Sequence, residues 1–568
     1  MNSLQSPQQV TFSRHLVVWG VLLSFSVILS WRLTDLQIIS DDFLQEEGNK
    51  RSLRTIPLSS HRGLILDRNG EALAISTQVH SVWVNPKEIE DGFASKWNTL
   101  CELLSLDPSV AQAKILRKKD RSFVYLKRHI SPQLAQKIDR LNLPGIHLQN
   151  EYRRFYPNAE VSAHVLGFTD IDHRGQEGLE FALDSILSGS PGRKTILKDR
   201  LGAQIESREG NANPLPGQDV QLSIDSRIQY LAYRELLKAV KKNNAKAGSV
   251  VILDADTFEV IAMANVPSFN PNLIERPLDG SARNRAVTDQ FEPGSLIKPF
   301  SMAHILASGR FYPHSPVDTN PGWLKVGNRL VRDVRNFGFI DVGTVLQKSS
   351  NVGITKLILS LPPEKLYKTY QDLGFGDTTH SGFPGEAMGH LEYAGIKNPF
   401  ALATLAFGYG ISATPLQIAQ AYAILAARGV KRPISYLKVE DTPPGEQVLS
   451  PGIASAITRM LISATQTEGT AHNAYIPGYI VAGKTGTARK IGAQGYDEDS
   501  HLALFAGFAP AQDPKLVMVV IIDEPSAGRY YGGEVAAPVF ARVMQGALRL
   551  SNIAPFRSDV PELLLVKK

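Results

Sequence analysis

The 568 residues, of which 43% are hydrophobic, are enough for two or three folded domains with separate cores. The formal net charge of +6 is a small surplus spread along the chain, so composition gives no support for a nucleic-acid-binding protein. The single cysteine, Cys101, excludes an internal disulfide and a Cys-Cys metal site, and its apolar surroundings (LCELLSL) predict a buried thiol. No HExxH or similar histidine spacing occurs, so we expect neither a metal ion nor a cofactor.

The amino-terminal segment has the composition of a membrane anchor. Residues 16–31 read LVVWGVLLSFSVILSW without a charge, and the apolar pattern continues to Ile39. No small-x-small cleavage site follows, which favours an uncleaved helix over a signal peptide. The sequence therefore predicts a tail at 1–14, a transmembrane anchor at 15–39 and a polar stalk at 40–56.

Two larger regions follow the stalk. From 57 to 225 short strand patterns alternate with polar helical ones, and Asn69-Gly70 between apolar runs predicts a hairpin. From 226 to 552 strand-like segments at both ends enclose several apolar helices, which predicts an α+β domain whose sheet is assembled from distant segments. Residues 553–568 remain as a carboxy-terminal tail.

The stretch FEPGSLIKPFSMAHILA places Ser295 and Lys298 three residues apart at the start of an apolar helix, on one helical face. A serine hydroxyl needs a base, and lysine can serve if its pKa falls from about 10.4 to about 7 or 8. Burial, the helix amino terminus and a second cation would lower that pKa. The same SxxK pattern recurs at Ser435, but PISYLKV predicts a strand, in which positions three apart point to opposite faces.

Two further motifs are weak alone. Ser349 and Asn351, between two predicted helices, have a hydroxyl and an amide able to relay a proton and to hold a substrate amide, although Ser268-Phe-Asn270 has the same pattern. Residues 484–487 (KTGT), on a predicted strand, supply a cation and a hydroxyl for a carboxylate, and their glycine allows a substrate to lie close.

Together, SxxK, SxN and KTG in this order resemble the class B penicillin-binding proteins. The resemblance extends to RGLILDRNGEALA (62–74), RRFYP (153–157) and GLEFALDSILSG (178–189). The stretches GYGISATPLQIAQAYA and EPSAGRYYGGEVAAPVFARVM are more similar to the division-specific, FtsI-type members than to the elongation-specific ones. The resemblance implies an α+β fold, with an elongated α/β pedestal domain and a β-lactamase-like transpeptidase domain in which helices flank an antiparallel sheet.

The resemblance also implies an enzyme, a serine-type D-Ala-D-Ala transpeptidase without cofactor. Ser295 would be acylated by the penultimate D-alanine of a peptidoglycan stem pentapeptide, and an amino group of an acceptor stem peptide would resolve the acyl-enzyme. Lys298 would act as base, while Ser349 and Asn351 would relay the proton and contact the substrate amide. Lys484 completes the set of catalytic residues implied in this way.

The expected substrate-binding residues are Thr485, Gly486 and Thr487. Thr485 would hold the donor's terminal carboxylate together with Lys484, and the backbone NH groups of Thr487 and Ser295 would form an oxyanion hole. β-Lactams would acylate the same serine.

By the same resemblance, the protein would be a single-pass protein of the cytoplasmic (inner) membrane, located at the division septum. Its amino terminus would be cytoplasmic and its catalytic domain periplasmic. The implied partners are the membrane, an FtsW-type glycosyltransferase and other divisome proteins.

Several alternatives stay open at this point. An elongation-type transpeptidase, a D,D-carboxypeptidase or β-lactamase and a catalytically silent scaffold share the fold. Residues 478–485 also match the P-loop pattern GxxxxGK[ST], although the β-forming residues 479–481 favour an extended strand over a phosphate-binding loop.

Overall fold

The computed structural model describes residues 7–58, 60–89, 94–198, 204–207, 212–273, 280–393, 398–492 and 495–555. These residues form two compact units. The first comprises Met1–His61 and Gly189–Pro216, and the second comprises Arg62–Ser188 and Gly217–Lys568. The range 57–225, predicted as one pedestal, is thus distributed over both units.

The first unit contains the apolar helix and a small sheet. A helix over Pro7–Thr34 continues as a π-helical turn, Asp35–Ile39, and a further helix spans Asp41–Ser52. The segment Arg14–Ile39 has a mean hydropathy of 1.9 and no buried residue, so it is long and apolar enough to cross a membrane. The antiparallel sheet of this unit has the strand order Leu53–Leu58, Gly192–Lys198, Gln204–Ser207.

The second unit begins with the pedestal module, built around the long strand Ala72–Val84. The predicted hairpin is confirmed, because Gly70 adopts φ +88° in the turn that precedes this strand. Three helices cover one face of the sheet, and Cys101, on the helix Ala94–Leu104, lies in the core between them and the sheet with 1% of its surface exposed. The other strands are Ile65–Leu66, Val124–Ile130, Ile146–Phe155 and Val220–Gln221, and the helices are Ala94–Leu104, Pro108–Leu116, Pro132–Asp139, Ala163–Leu166, Gly178–Ala182 and Asp184–Leu187, with 3₁₀ turns at Pro86–Glu88 and Ala159–Val161.

A buried ionic cluster joins three segments of this module. Arg62 Nε and Arg154 Nε donate to the two oxygens of Glu180 at 2.7 and 2.6 Å, and Arg62 Nη1 donates to Asp184 at 2.6 Å. Arg62, Arg154 and Glu180 are at most 5% exposed. Burial of charges at this depth requires such pairing.

Residues 226–552, which the resemblance predicts to be the catalytic module, are organised on a five-stranded sheet that is antiparallel, as predicted. The strand order is Val260–Val266, Ala247–Asp254, Leu516–Asp523, Gly495–Ala509, Ala482–Gly492. The first two strands in this order precede all the enclosed helices in the sequence and the other three follow them. The strand Ala482–Gly492, called here the KTG strand, lies at the edge of the sheet.

Alternation along the strands gives the sheet two apolar faces. Val250 and Ile252 point to a core shared with the helices Ser226–Lys242 and Ala537–Leu550. Val251 and Leu253 point to the opposite, larger core, which includes the buried helix Pro415–Ala426. Helices therefore flank the sheet on both faces.

The segment between the two halves of the sheet supplies the remaining elements. Its helices are Arg285–Thr288, Lys298–Ala307, Val342–Gln347, Asn351–Leu359, Pro363–Asp372, Pro399–Leu405, Pro415–Ala426 and Pro451–Thr465. Its 3₁₀ turns are Pro271–Leu273, Gly294–Ile297 and His472–Ala474, and the helix Gly532–Val535 follows the last strand. Its two-stranded ribbons pair Pro316–Asp318 with Phe339–Asp341, Trp323–Val326 with Arg329–Arg332, His390–Leu391 with Ile411–Ser412, and Val430–Lys431 with Glu446–Gln447.

Candidate active site

Ser295 lies in the 3₁₀ turn Gly294–Ile297, and Lys298 is the first residue of the α-helix that follows. The sequence predicted one α-helix for both residues. The structure differs by this tighter turn, in which side chains three residues apart eclipse each other, so the two residues still share a face. Gly294 opens the turn with φ +51°.

Ser349 and Asn351 lie between the helices Val342–Gln347 and Asn351–Leu359, at the predicted junction. Ser350 Oγ caps the second helix by accepting from Gly353 N at 2.8 Å. Ser349 has φ +61°, an uncommon conformation for a residue with a Cβ atom, which persists only where the surrounding structure holds it.

The side chains of the first two motifs meet. Ser349 Oγ lies 3.1 Å from Ser295 Oγ and 3.1 Å from Lys298 Nζ. Lys298 Nζ also donates to the Ser349 carbonyl at 2.6 Å and to Asn351 Oδ1 at 2.7 Å. Ser295 is thereby connected to Lys298 through the hydroxyl of Ser349.

Asp333, which the sequence did not single out, organises the SxN turn. Its carboxylate accepts from Asn351 N, from Val352 N at 3.0 Å and from Ser350 Oγ at 2.6 Å. It therefore caps the helix that begins at Asn351 with a negative charge at the positive helix end. Asp333 lies in an irregular stretch after the strand Arg329–Arg332, and no short motif marks it.

The KTG strand passes directly beside the Ser295 turn. A Cβ atom on Gly486 would lie 3.0 Å from Leu296 Cγ and 3.2 Å from the Pro293 carbonyl, so the absence of a side chain allows this close approach. Thr487 Oγ1 accepts from Gly532 N at 3.1 Å, and Thr485 Oγ1 donates to Thr470 Oγ1 at 3.1 Å. The third motif thus lies against the first.

Both lysines of the site are fully buried, and this changes their acidity. Burial lowers the pKa of Lys484 from 10.5 to about 7, because the charged ammonium loses its hydration. Burial, followed by the repulsion from Lys484, lowers the pKa of Lys298 well below its usual range, while Asp333 acts in the opposite direction. Neutral amines are therefore accessible near neutral pH.

The P-loop alternative is wrong for this geometry. Lys484 lies within an extended antiparallel pair, opposite Ala506, and the strand continues to Gly492. A phosphate-binding loop has to curl so that successive amides face the anion, and a helix has to follow it.

The two repeated patterns lie outside the site. Ser435 forms a single strand bridge with Glu259, and its hydroxyl donates to the Leu437 carbonyl at 2.7 Å. Ser268 Oγ donates to the Glu160 carbonyl at 2.7 Å in a connection to the pedestal module. Among the described residues, no group of three or more His, Cys, Asp or Glu side chains is placed to hold a metal ion.

Comparisons with known proteins identify the family of this chain. The family model for the penicillin binding protein transpeptidase domain matches residues 248–545, and the model for the penicillin-binding protein dimerisation domain matches residues 57–222. The peptidoglycan D,D-transpeptidase FtsI of Escherichia coli K12 is 41% identical over 546 residues, which cover 95% of this chain and 92% of that protein. The chain belongs to the class B penicillin-binding proteins.

Solved structures of this family share the fold. The transpeptidase domain of Burkholderia pseudomallei penicillin-binding protein 3 is 39% identical, with a TM-score of 0.54 over 59% of this chain and 97% of that chain. Penicillin-binding protein 3 of Mycobacterium tuberculosis in complex with aztreonam is 27% identical, with a TM-score of 0.68 over 88% of this chain and 98% of that chain. This class B penicillin-binding protein is a serine-type D,D-transpeptidase of the FtsI type, and its apolar amino-terminal helix indicates a single-pass membrane protein.

The structure of this class B penicillin-binding protein thus brings the predicted site residues together. Ser295, Lys298, Ser349 and Asn351 are joined by hydrogen bonds, and the KTG strand with Lys484 lies alongside. Sequence reasoning missed the supporting residues, of which Asp333 and Thr470 are two examples. Asp333 lies 18 residues before Asn351 and Thr470 lies 15 residues before Thr485, outside either motif, so the signal for each is spatial.

Proposed function

We propose that this protein cross-links peptidoglycan stem peptides during septum formation, with Ser295 as the nucleophile. Ser295 Oγ attacks the carbonyl carbon of the penultimate D-alanine, the bond to the terminal D-alanine breaks, and that amino acid leaves after taking up a proton. An amino group of a neighbouring stem peptide then attacks the ester and frees Ser295. The observation that carries the proposal is the connection of Ser295 to a buried lysine through Ser349.

The contacts of Lys298 explain how the serine is activated. A neutral amine has two N–H donors and one lone pair. The two donors are used by the Ser349 carbonyl and Asn351 Oδ1, at 2.6 and 2.7 Å, which leaves the lone pair for the Ser349 hydroxyl at 3.1 Å. The proton of Ser295 would therefore pass to Ser349 while Ser349 passes its own proton to Lys298. In this scheme Asn351 orients the base.

The KTG strand is suited to hold the donor peptide. As an edge strand it offers backbone groups on its outer side, to which an extended peptide can add as a further strand. The NH groups of Ser295 and Thr487 would stabilise the oxyanion, each such donor being worth about a hundredfold or more in rate. Lys484 and Thr485 would hold the terminal carboxylate, and Gly486 lets the substrate approach.

Location and partners follow from the substrate. Peptidoglycan is cross-linked outside the cytoplasmic membrane, so the catalytic module would be periplasmic, the amino terminus cytoplasmic and the protein at the septum. A membrane glycosyltransferase of the FtsW type would supply the glycan strands, and other divisome proteins would recruit both. β-Lactams would acylate Ser295, as the aztreonam complex of a relative suggests.

The proposal is tested with labelled penicillin and intact-mass measurement on the full-length protein. We expect a single covalent adduct in the wild type and none in Ser295→Ala. The matched control is Ser435→Ala, which removes the serine of the second SxxK pattern and should keep the adduct. An adduct that persists in Ser295→Ala would disprove the nucleophile assignment. A second assay supplies a stem pentapeptide and an acceptor stem peptide in place of penicillin, and release of D-alanine without joined peptides would favour the carboxypeptidase alternative.

A further inference from the structure

Glu292, three residues before Ser295, touches two other segments at the edge of the site. Its Oε1 accepts from Gly410 N at 2.8 Å and from the Tyr496 hydroxyl at 3.1 Å. Gly410 belongs to a loop after the helix Pro399–Leu405, and Tyr496 lies on the strand that pairs with the KTG strand. One carboxylate oxygen therefore joins three parts of the chain that are distant in sequence.

The loop around Gly410 lies tightly against the Ser295 turn. Gly294 N donates to the Gly408 carbonyl at 3.1 Å, and a Cβ atom on Gly408 would lie 2.0 Å from the Gly294 carbonyl. Just before the turn, Phe291 exchanges two backbone hydrogen bonds with Ala413. The backbone of this loop is thus tied to the Ser295 turn by contacts that do not involve the Glu292 side chain.

Tyr496 is held mainly through its ring and its hydroxyl. The ring is 49% exposed and packs edge-to-face on Tyr409, with centroids 5.7 Å apart. Tyr496 pairs with Ile491, four residues beyond Thr487, so it marks the hairpin end of the KTG strand. A donor peptide that lies along this strand passes Tyr496.

We propose that Glu292 is a positioning residue, which holds the Gly408–Gly410 loop and Tyr496 against the Ser295 turn and so fixes the hairpin end of the donor-peptide groove. The inference rests on the proposed function, because it presumes that the donor peptide binds along the KTG strand. Glu292 contacts neither Lys298 nor the reacting atoms in this scheme. It acts through hydrogen bonds that its oxygen accepts, and a neutral amide oxygen can accept the same bonds.

The experiment compares Glu292→Ala, Glu292→Gln and Tyr496→Phe in the full-length protein. Labelled penicillin at several concentrations gives the dissociation constant of the initial complex and the first-order acylation rate separately. In Glu292→Ala we expect the dissociation constant to rise about tenfold with little change in the first-order rate, because two hydrogen bonds are lost. Tyr496→Phe should raise it about threefold, and Glu292→Gln should stay within about twofold.

Tyr475→Phe is the matched control, since this tyrosine is exposed and is not one of the residues that Glu292 Oε1 contacts, so the variant should behave as the wild type. Equal losses in Glu292→Gln and Glu292→Ala would overturn the proposal, because the charge or proton of the carboxyl group would then be responsible. The proposal would also be overturned if Glu292→Ala left both the dissociation constant and the acylation rate unchanged. The same holds if this variant only reduced the fraction of protein that penicillin can label, with both constants unchanged. Ser295→Ala, measured in parallel, tests the proposed function separately, because only an adduct in that variant contradicts it.

Discussion

Lys298 and Lys484 are both fully buried, and an ammonium group in such a position is costly unless it is paired or loses its proton. Asp333 offsets part of this cost for Lys298, and two accepting oxygens hold its nitrogen. Lys484 Nζ donates to the Thr485 carbonyl at 3.1 Å, and the pKa of Lys484 falls to about 7. The site therefore lowers the pKa of both amines at the cost of stability.

This cost makes the stability of the protein depend on pH. The pKa of Lys484 is depressed on folding from 10.5 to about 7, so between these values the unfolded chain binds the proton and the folded chain does not. Stability is then greatest above the unfolded pKa and falls as pH decreases toward the folded pKa. We expect the temperature of the thermal unfolding midpoint to fall when the pH is lowered from about 10 to about 7. Lys484→Met should weaken this pH dependence and raise the midpoint temperature at pH 7.

Thermal unfolding at a series of pH values measures the effect, with the exposed Lys325→Met as control. An unchanged pH dependence in Lys484→Met would contradict the assignment of this cost to Lys484. Covalent labelling by penicillin, followed on the same samples, separates the loss of activity in Lys484→Met from any loss of fold.

At the scale of the elements, the site depends on close backbone approach between the Ser295 turn and its neighbours. Gly408 has φ +94°, and its missing Cβ atom makes room for the Gly294 carbonyl. Gly309 has φ +67°, yet a Cβ atom there would meet nothing within 4 Å. A side chain at Gly309 would therefore cause only backbone strain, whereas a side chain at Gly408 would also clash with the Ser295 turn.

Replacing each glycine by alanine tests this distinction. Gly309→Ala should cost about 1 kcal/mol from the left-handed backbone alone, with normal penicillin acylation. Gly408→Ala should cost more and slow acylation by at least about tenfold, because the Ser295 turn has to shift, and misplaced reacting groups are slow. Denaturant unfolding and acylation kinetics measure both effects. Equal acylation rates in the two variants would show that the turn tolerates the extra atom.

At the scale of the whole molecule, the cluster of Arg62, Arg154 and Glu180 ties distant parts of the pedestal module together. Removal of Glu180 leaves two buried guanidinium groups without their shared carboxylate. We expect Glu180→Ala to lower the free energy of unfolding by about 3–5 kcal/mol, because uncompensated buried charges are expensive. Asp372→Ala breaks an exposed pair with Lys368 and should cost less than about 0.5 kcal/mol. Urea unfolding compares the two variants, and similar losses would mean that the buried cluster contributes no more than a surface pair.

Much of the catalytic module could be predicted from the sequence, because apolar periodicity and motif order are properties of contiguous residues. The strand that carries residues 484–487 and the enclosing of helices between two halves of one sheet are examples. Asp333 and Glu292 could not be predicted, because their roles arise from contacts with Asn351 and Tyr496 that only folding creates. The 3₁₀ turn at Ser295 was also missed, since its side chains repeat every three residues, much as on an α-helix.

The split sheet has a consequence for how the protein is made. The strand Ala247–Asp254 pairs with Leu516–Asp523, and the proposed nucleophile and base lie on the long segment between them. During synthesis Ser295 and Lys298 are therefore produced well before the strands that complete their support. Long-range pairings of this kind form late, because the intervening chain must first be ordered. A growing chain would carry Ser295 without the means to use it until this last strand is made, so reactivity with penicillin would be a sign that synthesis has passed the last strand.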